Sequence, residues 1–87
     1  MKEDVSLLEC LSKLEHERWS HWMKYLFVNS RVLSDGSIQI LPGLVRQLTR
    51  QMNTDYKDLS EEEKGSDRVW ANKVMETIHK ELGGFWG

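Results

Sequence analysis

The 87-residue chain has one cysteine and one proline. With Cys10 alone, there is no internal disulfide framework and no cysteine-built zinc site. No stretch approaches ~18 apolar residues, so no segment is expected to span a membrane. The opening MKEDVSLLEC carries acids early and lacks the long apolar run of a secretory signal. There is no basic surplus either: 12 Lys and Arg stand against 14 Asp and Glu, a net charge of −2. That balance argues against a DNA or RNA polymer as partner, because phosphate backbones need a basic face. A cytoplasmic location is expected by elimination.

Chemical motifs are missing as well. His16-Glu17 followed by His21 superficially suggests a metalloprotease helix. The two histidines are five positions apart, about 140° round a helix, and do not share a face. No Glu-x-x-Glu pair, Gly-rich phosphate loop or serine–histidine–acid pattern is present, so no catalytic residue, metal or cofactor is expected. Cys10 reads as a small apolar packing residue.

What the chain does have is aromatic mass: four Trp, two Tyr and two Phe. A domain this short buries only about 60–65% of its unfolded surface, and aromatics partly compensate for its thin core. One domain over residues 1–87 is expected. Its fold class is mostly all-α, a compact domain of two long helices and a shorter one.

The first helix is expected over about 7–27, with Ser6 and Glu9 at capping-box spacing. Leu8, Leu11, Trp19, Trp22 and Leu26 form its stripe at ~100° per residue. Ser34-Asp35-Gly36 lies between two short β-prone runs, a small β-hairpin signal that an irregular loop also fits. Pro42 suits the first turn of a second helix over about 42–53, with Leu44, Val45, Leu48 and Met52 on one face. Ser60 and Glu63 form a second capping box for a third helix over about 61–82, ended by Gly83-Gly84. Its buried face is expected to hold Trp70, Ala71, Val74 and Ile78. Phe85 and Trp86 are expected to fold back on the core.

Two acids interrupt these stripes. Glu15 lies four residues from both Leu11 and Trp19, and Asp67 lies four before Ala71. A carboxylate on a core stripe must be paired, neutralised or lining a cavity. Two readings stay open. One is a structural salt bridge to His16, Arg18, Lys64 or Arg68. The other is a polar pocket walled by Trp19 and Trp22.

The motif blocks resemble the RyR domain, the short repeat named after ryanodine receptors and also found alone in bacteria and phages. The first block reads Leu14-Glu15-His16-Glu17-Arg18-Trp19. The second begins at Tyr56 and continues Leu59-Ser-Glu61-Glu62-Glu63-Lys64-Gly-Ser-Asp67-Arg68; Leu82-Gly83-Gly84 matches the short closing block. The sequence departs from the receptor repeats after the first helix, where Tyr25-Leu26-Phe27-Val28 replaces their Gly-Trp-x-Tyr-Gly stretch. The resemblance implies a helical module without catalytic residues. Because the receptor repeats occur in pairs, it also implies a homodimer. Bacterial relatives imply a nucleotide-derived signalling ligand, and a phage copy would sequester it as an anti-defence sponge in the host cytoplasm. In that reading a base stacks on Trp19 or Trp22, and Arg18, Lys64 or Arg68 holds phosphate. Glu15, His16, Asp67 and Tyr56 complete the candidate ligand-binding set. The competing expectation is a protein-interaction or oligomerisation module with no small ligand, its Trp-rich surface serving as anchor.

Overall fold

The computed structural model describes the backbone of Lys2–Gly83, and side chains from Ser6 onward. Two long helices and one shorter helix carry the chain, with a small antiparallel hairpin between the first and second. α1 spans Lys2–Val28, β1 Ser30–Val32, β2 Ile38–Ile40, α2 Pro42–Met52 and α3 Glu61–Glu81. A single 3-10 turn, Tyr56–Asp58, leads into α3. The fold-back expected of Phe85 and Trp86 lies outside the described residues.

Helix α1 begins earlier than the Ser6–Glu9 spacing suggests, because the backbone is already helical at Lys2. Ser6 is therefore not a cap. Its hydroxyl instead donates to Glu81 Oε2 at 3.3 Å, bridging α1 to α3. At the other end, Asn29 Nδ2 donates to the Tyr25 carbonyl at 2.8 Å and Ser30 Oγ to that of Leu26 at 2.7 Å. These bonds occupy carbonyls that a helix end leaves unpaired, and the chain turns directly into β1.

The Asp-Gly signal marks a real hairpin, with Ser30 opposite Ile40 and Val32 opposite Ile38. Asp35 Oδ1 accepts from the Ser37 amide at 3.0 Å and from its hydroxyl at 2.6 Å. Those two bonds hold the Asp35 carboxyl below its usual range. Gly36 has φ +89°, a left-handed conformation open to residues without a Cβ. Val32 and Ile40 fall on the same face of the ribbon, and both are exposed.

Pro42 opens α2, where its missing N–H has no partner to lose. Of the expected α2 face, Leu44 is buried and Leu48 half-buried, while Val45 and Met52 are exposed. At the start of α3 the second capping box forms as the spacing requires. Ser60 Oγ accepts from the Glu63 amide at 3.1 Å, and Glu63 Oε1 accepts from the Ser60 amide at 3.1 Å. Gly83, with φ +59°, follows the end of α3 in the left-handed conformation that stops a helix.

Helices α1 and α3 run antiparallel. Cys10 Sγ donates to Glu81 Oε1 at 3.1 Å near one end, and the His21 and Trp70 rings meet at 5.6 Å further along. The buried core is small: among the described residues only Leu14 and Leu44 are buried hydrophobics. The chain is long for its mass, with a radius of gyration of 17.2 Å and extents of 50 × 34 × 16 Å. A globular chain of this length has a radius of gyration of about 12 Å.

Candidate functional site

The nine residues expected to form one ligand site separate into three places. The first is the exposed side of α1. His16 and Trp19 stack there with ring centroids 6.0 Å apart and planes inclined by 20°. The His16 ring also meets the Ser20 hydroxyl at 3.4 Å. Glu15 and Arg18 are exposed on the same helix. Among the described residues the ion pairs are Arg50–Glu63, Lys64–Glu61 and Arg68–Glu61, so neither Glu15 nor Arg18 belongs to one.

The second place is a groove of about 430 Å³ between α1, α2 and α3. Trp22, Leu48, Met52 and Leu59 give it apolar walls, and Glu63 and Asp67 put carboxylates on its rim. The Arg50 guanidinium grips both Glu63 oxygens, and with the Ser60 amide it holds the Glu63 carboxyl down to about 2. This charge distribution suits an apolar or cationic group better than a phosphate.

The third place is the start of α3. Lys64 Nζ lies 5.7 Å from the centre of the Tyr56 ring and 3.8 Å from Glu61 Oε1. Arg68 reaches Glu61 Oε2 at 3.3 Å. Tyr56, Lys64 and Arg68 thus converge, with Glu61 occupying the position an anion would take.

The expected cleft joining Glu15, Asp67 and Trp19 does not form. Both acids are exposed, and the groove that Asp67 lines with Trp22 includes neither Glu15 nor Trp19. The geometry explains why. With Cys10 beside Glu81 and His21 beside Trp70, Glu15 and Asp67 are separated by ~13 Å along the pair at 1.5 Å per residue. The apolar stripe of α1 is also broader than one partner helix covers. Leu14, outside the expected stripe, faces α3, and Leu8 and Trp19 are left in solvent. Ala71, placed on the buried face of α3 by periodicity, is likewise exposed.

A cluster around Trp22 and Trp70 holds the pair together, adding His21, Tyr25 and Lys73, which the expected ligand set did not include. His21 meets Trp22 edge-on at 5.2 Å and Trp70 at 5.6 Å, and Trp22 meets Tyr25 edge-on at 5.7 Å. Lys73 Nζ sits 3.9 Å above the Trp70 ring. The Tyr25 hydroxyl accepts from Gln47 Nε2 at 3.2 Å, fastening α2 to α1. The polar ends of this cluster could not be found from one stripe, because they link three elements. Among the described residues, no three His, Cys, Asp or Glu side chains converge as a metal ion would require. No helix among them is long and apolar enough to cross a membrane.

Comparison of the chain with models of protein families, with curated proteins and with solved structures finds no match.

Proposed function

We propose that this chain is a non-catalytic protein-interaction module whose working surface is the uncovered flank of α1 and α3. One observation carries the reading: Leu8, Trp19 and Met75 are 61%, 60% and 65% exposed, although each lies on a helix with a packed opposite side. Contiguous exposed apolar surface marks association sites on small proteins, and Trp is a frequent anchor in them. The groove beside Trp22 carries the carboxylates of Glu63 and Asp67, which disfavours an anionic small ligand there.

Met52 supplies an internal control, being 78% exposed but lying on α2 away from the flank. Oxidation of the chain inside expressing cells should modify Met75 and Trp19 more slowly than Met52. Equal rates for Met75 and Met52 would overturn the reading, whatever the partner.

A second reading rests on the convergence of Tyr56, Lys64 and Arg68. An aromatic ring against Tyr56 and a phosphate displacing Glu61 would suit a nucleotide-derived signal, as the RyR-like motifs imply, and would make the chain a sponge. A thermal-shift panel of ordinary nucleotides, cyclic dinucleotides and cyclic ADP-ribose isomers separates the two, since a ligand of the folded state raises its stability. A flat panel favours the interaction module. A saturable rise lost in Lys64→Ala and Arg68→Ala favours the sponge.

A further inference from the structure

We infer that the uncovered flank is the seam of a two-fold homodimer in which α1 packs across α1 of a second copy, Glu15 of each chain meeting Arg18 of the other. The inference rests on the interaction reading above and names its occupant.

The chain exposes 7176 Å². A folded monomer of its 10.3 kDa mass would expose about 5,400 Å². The surplus, about 1,800 Å² per chain, lies within the roughly 1,000–2,500 Å² that each partner of an obligate dimer buries. The same deficit of burial shows in a core with only Leu14 and Leu44 buried among the described residues. A second copy is the occupant that can close this deficit in every molecule.

Part of the exposed apolar area lies on one side of the α1–α3 pair. Cys10, Leu14 and His21 mark the line along which α1 meets α3. Leu8, Glu15 and Trp19 lie about 120–160° round from that line at ~100° per residue, while further along α1 this side borders α2, where Trp22 lines the groove with Leu48 and Met52. On α3, the residues meeting α1 are Trp70 and Glu81, and Ala71, Met75, Ile78 and Leu82 lie about 70–130° round from them. Because the helices are antiparallel, equal senses of rotation turn both sets to the same side of the pair. On that side Leu8 and Trp19 of α1 and Met75 and Leu82 of α3 are exposed apolar side chains.

Glu15 and Arg18 lie on this side of α1 with opposite signs, three residues apart, and neither is in an ion pair among the described residues. A two-fold interface is self-complementary, each contact occurring twice. An axis level with the midpoint of Glu15 and Arg18 brings each against its opposite on the other copy.

Sedimentation of the full chain from low to high micromolar concentration tests this, with circular dichroism reporting helicity. The parent should sediment as a dimer, and Trp19→Glu with Met75→Glu should sediment as a helical monomer. Glu15→Arg alone and Arg18→Glu alone place like charges opposite each other and should each weaken association by about tenfold or more. The two together restore the pairing and should recover most of the lost affinity. This swap keeps the test decisive even if the apolar variant fails to fold. A parent that stays monomeric overturns the second copy, while protection of Met75 in cells would still uphold the interaction reading. A dimer indifferent to both charge reversals overturns the proposed seam.

Discussion

Arg50 on α2 and Glu63 on α3 form a two-pronged ion pair at the point where Glu63 also closes the α3 capping box. One carboxylate therefore serves two elements. Its folded pKa, about 2, lies below its ordinary 4.5. A depressed carboxylate contributes stability that is fully present above its unfolded pKa and is lost as pH falls through the folded one. Acid should therefore destabilise the chain between about pH 4.5 and pH 2. In Glu63→Gln, thermal melting followed across that range should show a flatter pH dependence and a lower plateau at neutral pH.

Gly65 lies in the interior of α3, and a Cβ built on it meets nothing within 4 Å. Glycine costs a helix interior about 1 kcal/mol relative to alanine. Gly65→Ala should stabilise the chain by about that amount, read as a raised midpoint in urea unfolding. An unchanged or lowered midpoint would place another constraint on that turn.

Leu14 is buried between α1 and α3 in a very small core. Leu14→Ala should cost about 2–3 kcal/mol, the low end for a buried leucine, because surrounding side chains can relax into an open structure. Chemical denaturation measures it.

Glu15→Gln and Asp67→Asn should each change stability by less than about 0.5 kcal/mol in the monomer, as expected of exposed positions. Paired melts of variant and parent, made dilute enough to suppress association, provide the comparison. A loss of several kcal/mol in either would restore the buried salt bridge that their stripe positions suggest.

Cys10 donates its thiol to Glu81, and that bond, with the nearby negative charge, raises the thiol pKa. Cys10 should react more slowly with an alkylating reagent near pH 8 than an unhindered thiol, because the thiolate is the reactive form. Glu81→Gln should speed the reaction.

These residues also show which features a single sequence makes legible. Ser60 with Glu63, Pro42, Asp35-Gly36 and Gly83 all mark boundaries that form within a few residues of themselves, so spacing suffices to find them. Ser6 and Glu9 have the same spacing and fail, because a cap requires a non-helical residue and the backbone at Ser6 is helical. Burial was harder to read. Periodicity marks an apolar side of α1, but Leu14, which lies outside it, is the residue buried against α3, while Trp19 on that side lies in the open. Glu15 is out of place only if the whole stripe is core. The convergence of Tyr56, Lys64 and Arg68 follows from their closeness in sequence. The His21–Trp70 contact and the Arg50–Glu63 pair depend on how distant elements meet, which no local pattern encodes.

The pairing of α1 with α3 also sets how the chain must fold. Its two long helices are neighbours in space yet are separated by residues 29–60, which carry the hairpin and α2. Closing a loop of roughly 30 residues costs about 2 kcal/mol more entropy than closing a tight turn of about four. The helices must therefore search for each other across a long tether, and the Tyr25–Gln47 bond and the Arg50–Glu63 pair shorten it as they form. Formation of α2 is then a step in bringing α1 and α3 together, so slowing it should slow collapse of the whole helical pair.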